Sequence, residues 1–346
     1  MDAENAVAVA AAALPAEALR GRCDIVVPVY EGVNYVRDLL TSIDRCTTYP
    51  YRVLLIDDSA NDRTHEALLD LVSEELWIEL HRNPENLGFV QTANRGFDLS
   101  EAEFICLMNS DTIVTPGWLE RLIDCAQSDP RIAVVNPLSN MAVNLSVPMA
   151  PGLNLNTMAS ALAARSRRDY PDITTAVGFC MLIKRRYLSW LGGFDPIYGH
   201  GYCEESDLCM RYTEAGLRVV AADDAFVYHK GCGSFGVWLD RYAVNRRIFD
   251  ARWQDAYESE YQRFLTRNPL QYIRDRLMRH SIREEEWTDD ASRAVTRDSR
   301  KVHMSHLTGG KLPLTKNALR AGLVPNRTLG RSATADRLQR TPRTPP

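Results

Sequence analysis

One pattern constrains this chain above all others: short apolar runs take turns with segments of helical spacing through the first 135 residues. The runs at 23–29, 51–56, 78–80, 103–108 and 132–135 are short and rich in β-branched residues, so they read as buried strands. Between them, 33–46 carries Val36, Leu39, Leu40 and Ile43 at helical intervals, and 65–76, 89–99 and 118–128 also read as helices. Strand and helix in strict alternation predict an α/β domain with a mostly parallel central sheet flanked by helices. In such sheets ligands bind beyond the carboxyl ends of the strands. The residues at three of those ends are Tyr30-Glu31, Asp57-Asp58 and Asn109-Ser110-Asp111, and each end carries an acid.

The second half is less regular. The spacing predicts a strand over 174–184 that includes Gly178, and a short helix over 187–191 ended by Gly192-Gly193. A helix over 204–215 is stopped by Gly216, and strands follow at 217–222 and 225–229. From 237 to 279 the chain reads as a helical extension, with Trp238, Tyr242, Phe249, Trp253, Tyr257, Tyr261 and Phe264. These aromatics suit packing on the preceding domain or on a second subunit. An acceptor-binding or membrane-surface helix is the functional alternative. Arg241, Arg246, Arg247 and Arg252 lie among them, to meet phosphates of a lipid-linked acceptor or to be solvated. The expected organisation is a loose N-terminal arm at 1–20 and a main α/β domain at 21–236, with halves at 21–135 and 136–236. The helical extension then covers 237–294, and a basic, disordered tail covers 295–346.

Composition narrows the class. Of 346 residues, 45% are hydrophobic and 25% charged, the balance of an ordinary globular protein rather than of a fibrous, disordered or membrane-embedded one. A net charge of −4 argues against a nucleic-acid partner. The charge is uneven: residues 297–346 hold 11 Lys and Arg against 2 Asp, so the tail is basic and the remainder acidic. Such a tail suits a solvated role, or contact with acidic lipid headgroups at the inner face of a membrane. The apolar stretch 6–14 follows Asp2 and Glu4 and stops at Pro15, which fits neither a secretory leader nor a membrane span. Eight cysteines lie mostly in apolar runs, as free thiols of a reducing cytoplasm would.

Acids on the rim of a sheet repel anions unless a cation intervenes, and a divalent metal reverses the local sign so that the site can hold a phosphate. Hard oxygen ligands suit Mg²⁺ or Mn²⁺. Asp111 is the first candidate ligand, with a turn-starting role as the alternative. The chain lacks both the Gly-x-Gly-x-x-Gly and the Gly-x-x-x-x-Gly-Lys-Ser/Thr phosphate loops, which disfavours dinucleotide oxidoreductases and P-loop ATPases. Glu204-Glu205-Ser206-Asp207 opens a helix, where acids favour the macrodipole. Asp207 and Arg211 are four apart and pair on one face, whereas Glu205 points elsewhere and is free to act as a base. His229, at a strand end, suits either a metal ligand or a packed side chain. Cys203, Cys209, His229 and Cys232 do not have the spacing of a zinc site.

Taken together, these segments resemble inverting glycosyltransferases of family 2 with the GT-A fold, rhamnosyltransferase-like members among them. The resemblance runs from about 23 to 235. It rests on Val26-Val27-Pro28-Val29-Tyr30, on Ile56-Asp57-Asp58-Ser59, and on Asn83-Pro84-Glu85-Asn86-Leu87-Gly88-Phe89 with Asn94 and Gly96. Met108-Asn109-Ser110-Asp111-Thr112 stands in the place of an Asp-x-Asp motif. Gly178-Phe179-Cys180, Gly192-Gly193-Phe194-Asp195, Glu204-Glu205-Ser206-Asp207-Leu208, His229 and Ser234-Phe235 complete it.

The resemblance implies a donor and an acceptor: a nucleoside-diphosphate sugar, and a hydroxyl on a glycan, glycolipid or protein, in bacterial polysaccharide or glycoconjugate assembly. It implies that Pro28, Tyr30, Asp58, Asn94, Ser110, Asp111 and Gly178 hold the nucleotide sugar. Asp111 and His229 would hold Mg²⁺ or Mn²⁺, Asp195, Glu204 and Asp207 would border the acceptor, and Glu205 would be the catalytic base. Two positions depart from the family pattern: Asn109 replaces the first acid of Asp-x-Asp, and Glu205 stands where Asp is more usual. A sugar-nucleotide nucleotidyltransferase and a catalytically inactive binding module are the competing readings. Peripheral membrane contact and a homo-oligomer are compatible with the sequence.

Overall fold

Seven residues, all but Asp24 apolar, make β1 (Cys23–Val29), the strand around which the domain is ordered. The chain then forms α1 (Val33–Cys46), β2 (Tyr51–Asp57), α2 (Asp62–Val72), β3 (Ile78–Arg82), α3 (Phe89–Leu99), β4 (Phe104–Met108), β5 (Thr112–Val114), α4 (Trp118–Ser128) and β6 (Ile132–Leu138). It continues through α5 (Leu155–Arg165), β7 (Cys180–Lys184), α6 (Arg185–Leu191), α7 (Glu204–Glu214), β8 (Arg218–His229), α8 (Trp238–Arg267) and α9 (Gln271–Arg279). This computed structural model describes residues 21–73, 75–150, 152–231 and 238–279. The arm expected at 1–20, the tail expected at 295–346, and Cys232, Ser234 and Phe235 lie outside the described residues, as do the side chains of Trp238 and Arg279.

The eight strands form one sheet in the order β3-β2-β1-β4-β7-β6-β8-β5. It is mixed and mostly parallel: β1 pairs in parallel with β2 and β4, β2 with β3, and β6 with β8. β7 runs antiparallel to both of its neighbours, β4 and β6, and β5 runs antiparallel to β8. Strands buried on both faces read as apolar runs whatever their direction, so the pattern alone does not reveal the reversal at β7. Val26, Leu54, Leu107, Val134 and Leu182, from five of these strands, are each at most 1% exposed. Helix α3 packs on β1 and β2, α4 on β6 and β8, and α5 on β8.

Several predicted bounds shift for identifiable reasons. α2 begins at Asp62 rather than at 65, because the Asn61 side chain accepts a hydrogen bond from the Arg63 amide and caps the helix. The strand expected over 174–184 is only β7; residues before Cys180 form a loop. The two strands expected at 217–222 and 225–229 are one strand, β8, whose ladder with β6 is shifted between Pro137 and Leu138, placing Asp223 and Asp224 in the irregularity. α5 and β5 carry no expectation from the sequence. Among the described residues no helix is long and apolar enough to cross a membrane.

Candidate active site

The strand order places a crevice where it is useful. From β1 the chain moves outward to β2 and β3, then returns to the other side of β1 as β4. The carboxyl ends of β1 and β4 therefore diverge at a topological switch point. Pro28 lies near the end of β1, opposite Ile56, and Tyr30 follows it with 53% of its surface exposed. Beside them opens a cavity of about 340 Å³ lined by Glu31, Gly32, Val33, Asn61, Arg63 and Thr64 among others.

Other expected binding residues turn inward. Asp58 is 4% exposed, and its carboxylate accepts from the Asn83 side chain (2.8 Å) and from the amides of Leu87 (2.7 Å) and Gly88 (3.0 Å). It thereby fixes the loop leading into α3. Its neighbour Asp57 accepts from Ser59 and His65. Asn94, on α3, exchanges two hydrogen bonds with the backbone of Phe194, at 2.8 and 2.9 Å. These groups shape the crevice from behind.

A three-residue strand brings Asp111 and His229 together. β5 begins directly after Asp111, and its pairing with β8 sets Thr112 opposite His229. The Lys230 amide then donates to the Asp111 carbonyl at 2.9 Å, and His229 Nε2 lies 3.3 Å from Asp111 Oδ1. On the other side of the ring, Nδ1 is 2.9 Å from the Met141 carbonyl. That carbonyl can only accept, so Nδ1 carries a proton, and in the neutral ring the Nε2 lone pair faces Asp111. Burial lowers the imidazole pKa, but the hydrogen bond and charge of Asp111 outweigh it and leave it raised. Ser110 is half-buried in the turn beside them.

This pair fits a divalent cation as a partial ligand set. One carboxylate oxygen and one imidazole nitrogen with its tautomer fixed face each other, and the outer partner of the ring is in place. Among the described residues no group of three or more His, Cys, Asp or Glu side chains is arranged to hold a metal. Two protein ligands suit Mg²⁺ or Mn²⁺ that takes its remaining oxygens from phosphate and water.

The second centre is Glu205, in the first turn of α7. Its Oε1 accepts from the Gly178 amide at 3.2 Å, and burial raises its pKa. Gly178 stands in a loop held by Asn136 of β6, whose side chain donates to the carbonyls of Val177 (2.9 Å) and Cys180 (2.5 Å) and accepts from the Val177 amide (3.0 Å). The next residue, Phe179, stacks on the His229 ring, with centroids 5.4 Å apart and planes 21° apart. Its carbonyl also receives the Asn109 amide at 3.0 Å. Consecutive residues thus touch the base candidate and the metal-ligand candidate.

The remaining acids serve the frame. Asp207 is fully buried and paired with Arg211 as the spacing predicts, at 2.8 Å. It also accepts from Trp253 Nε1 (2.9 Å), Arg252 (3.2 Å) and the Tyr198 hydroxyl (3.2 Å). Asp195 caps the turn at Ile197 and pairs with Arg252 at 2.7 Å. Asn245 of α8 donates to the carbonyls of Tyr198 (2.8 Å), Gly201 (2.7 Å) and Tyr202 (3.2 Å), in the loop that feeds α7. The extension therefore packs on the catalytic domain, with Phe249 buried. Of its arginines, Arg252 is committed to Asp195 and Asp207, and Arg246 to Asp250, while Arg241 and Arg247 are exposed. A cavity of about 210 Å³ behind Glu205 is walled by Tyr242, Phe249, Tyr257 and Phe264 from α8 and by residues 173–177.

Asn136 and Asn245 were not among the residues expected from sequence. An asparagine inside the apolar run IAVVNPL is a readable signal, because a buried amide demands partners. Asn245 carries no such mark among the polar residues of α8.

Comparison with known proteins gives a consistent answer. A pre-mycofactocin glycosyltransferase of Mycobacterium tuberculosis is 27% identical over 223 residues, which cover 63% of this chain and 45% of that protein. The chain thus spans under half the length of that relative. An N-acetylglucosaminyl-diphospho-decaprenol L-rhamnosyltransferase of M. tuberculosis is 27% identical over 240 residues, covering 61% of this chain and 77% of the relative. The crystal structure of GalNAc-T7 with UDP, GalNAc and Mn²⁺ superposes with a TM-score of 0.54 at 16% identity, over 77% of this chain and 56% of that one, a likeness of fold. Residues 24–191 match the family model for glycosyl transferase family 2, and on a GT-A fold this region is similar to that family.

Proposed function

We propose that the protein is an inverting glycosyltransferase that moves a sugar from a nucleoside-diphosphate sugar to a hydroxyl of a glycan, glycolipid or protein acceptor. The observation that supports this reading is the junction at Gly178 and Phe179, whose consecutive residues contact a carboxylate and a histidine paired with Asp111. We assign the nucleotide to the ends of β1 and β2, around Pro28, Tyr30 and the cavity that includes Arg63. Asp58 and Asn94 act there by holding the loops that border it. Asp195, Glu204 and Asp207 build the acceptor side, the two aspartates through ion pairs with Arg252 of α8.

In the mechanism we infer, Ser110 and Asp111 lie along the donor's ribose and diphosphate, and Asp111 and His229 hold Mg²⁺ or Mn²⁺. When bound, that cation offsets the charge growing on the leaving diphosphate. Glu205 takes the proton of the acceptor hydroxyl as the new bond forms at the anomeric carbon, a contribution of about 10²–10⁴-fold. Burial suits it to the task, because a raised pKa makes a carboxylate a stronger base. The Gly178 amide fixes one oxygen and leaves the other for the acceptor. The relatives' names support a role in bacterial glycoconjugate assembly. The seven described cysteines are all free, with Cys106 and Cys180 sulfurs unbridged at 3.9 Å, which supports a reducing cytoplasmic setting. We keep residues 21–236 as the catalytic domain, followed by the helical extension, whose described part is 238–279.

The test is a thermal-shift panel of nucleotide sugars, each with and without Mn²⁺, on the wild type and on His229→Ala. A ligand that binds only the folded state raises Tm according to its affinity. At least one nucleotide sugar stabilises the wild type more with Mn²⁺ than without, and His229→Ala loses that increment. No stabilisation by any nucleotide sugar contradicts the reading. In the turnover assay, release of pyrophosphate rather than nucleoside diphosphate would point to a nucleotidyltransferase.

A further inference from the structure

The reaction assigned above uses Glu205 and gives its neighbour no chemical task. Glu204 opens α7 and is 2% exposed. Its Oε2 has no hydrogen-bond partner, and among the described residues no cation pairs with it. A carboxylate buried to this depth without a counter-ion gives up its charge rather than remain ionised. The negative charge of Glu205 alongside acts in the same direction. The α7 N-terminus opposes it with a partial positive charge and the residue's own amide. The other titratable groups around the pair are Tyr202 and Cys203 on the preceding loop, Cys209 further along α7, and Arg246 with Asp250 on α8, which pair with each other at 2.6 Å. Across the cleft, the loop at Gly178 brings only a backbone N–H.

We propose that Glu204 is a neutral carboxylic acid whose proton is donated in a hydrogen bond to Glu205, so that it orients the base and keeps it ionised. The proton stays on Glu204 throughout; the acceptor's proton goes to Glu205. Glu204 is thus a positioning residue, acting through its neighbour. Burial raises the pKa of both groups, and of the two carboxyls it is Glu205 that accepts from the Gly178 amide while Glu204 Oε2 is left without a partner, which agrees with this assignment. The inference rests on Glu205 being the base.

The experiment is the pH profile of kcat/KM for nucleoside diphosphate release, with thermal melts as a check on folding. The acid limb of that profile reports the pKa of the base in the free enzyme. Glu204→Gln keeps an N–H donor, and Glu204→Leu keeps the approximate volume without one. With a neutral donor at 204, the Gln variant keeps its acid limb at the wild-type pH and its turnover within a few-fold. The Leu variant loses a hydrogen bond to a charged group, and its limb moves up by about one pH unit. A downward shift in either variant would mean that Glu204 had been ionised, and would overturn the proposal. An unmoved limb in a folded Leu variant would overturn it too, leaving only packing. If the melt shows that the Leu variant does not fold, the Gln variant decides alone, and lost turnover or a lowered limb counts against the proposal. Glu205→Gln separates the two claims. Normal turnover there removes the base assignment itself, whereas an inactive Glu205→Gln with an unmoved Glu204→Leu limb overturns only the role of Glu204.

Discussion

Replacing Gly178 by alanine perturbs Glu205, the proposed base, without replacing it. A Cβ built on Gly178 would lie 2.7 Å from Glu205 Oε1, 3.5 Å from its Cδ and 3.6 Å from its Cγ. Ordinary contact begins near 3.4 Å, so the carboxylate must retreat by about 0.7 Å. The backbone of Gly178 has negative φ and accepts alanine, and the group that yields is the end of a flexible side chain. The effect on folding should therefore be small, about 1 kcal/mol or less. The effect on catalysis should be large. A displacement of 1 Å costs on the order of 10²-fold, so 0.7 Å predicts a fall in kcat of about 10–100-fold, or about 1.4–2.7 kcal/mol of barrier. Steady-state release of nucleoside diphosphate from a saturating donor, alongside a urea melt, measures both. A kcat within twofold of wild type, in a variant as stable as wild type, would mean that Glu205 does not occupy this position during reaction.

Further outcomes follow from groups around the site. Asn245→Ala removes donors from three carbonyls in the loop before α7 and should destabilise the protein by about 2–4 kcal/mol in urea denaturation; a loss under 0.5 kcal/mol would show that α8 does not hold that loop. Asp224 is 1% exposed with one oxygen lacking a partner, and burial, only partly offset by Arg168, pushes its pKa up to about 6. Its folded pKa lies above its unfolded one, so the native state binds the extra proton and stability falls as pH rises from about 4 to 6. Asp224→Asn should remove that slope, matching wild type near about pH 3.5 and exceeding it by about 2–3 kcal/mol at about pH 7.5; equal stability at both pH values would refute the assignment.

How far the sequence announced this site can be followed residue by residue. The bounds of β1, α1, α3 and α4 match their apolar spacing, since each buries one continuous face. The acids Asp57-Asp58 and Asp111 lie at or just after the carboxyl ends of β2 and β4. What spacing could not distinguish was direction. Asp58 and Asp111 both end apolar runs, yet Asp58 turns inward to three donors while Asp111 faces His229. That choice depends on β5, whose three residues are too few to show a period. α5 escaped notice because LNTMASALAAR has small or apolar residues on most sides, so no stripe stands out, although Asn154 caps it by accepting from two amides. Asp223 and Asp224 looked like a break between two strands, and are instead buried where the β6–β8 ladder shifts. The pairing of Asp207 with Arg211 was legible, because a four-residue step on a helix is local. Its further ties to Tyr198, Arg252 and Trp253 are long-range, and only the fold reveals them.

The central claim is that Glu205 removes the acceptor's proton. Its most direct test is Glu205→Gln, with donor binding followed by thermal shift and transfer followed by product formation at saturating donor and acceptor. The account predicts unchanged donor binding and a fall in kcat of at least about 10²-fold. Transfer at the wild-type rate by a folded Glu205→Gln variant would contradict it.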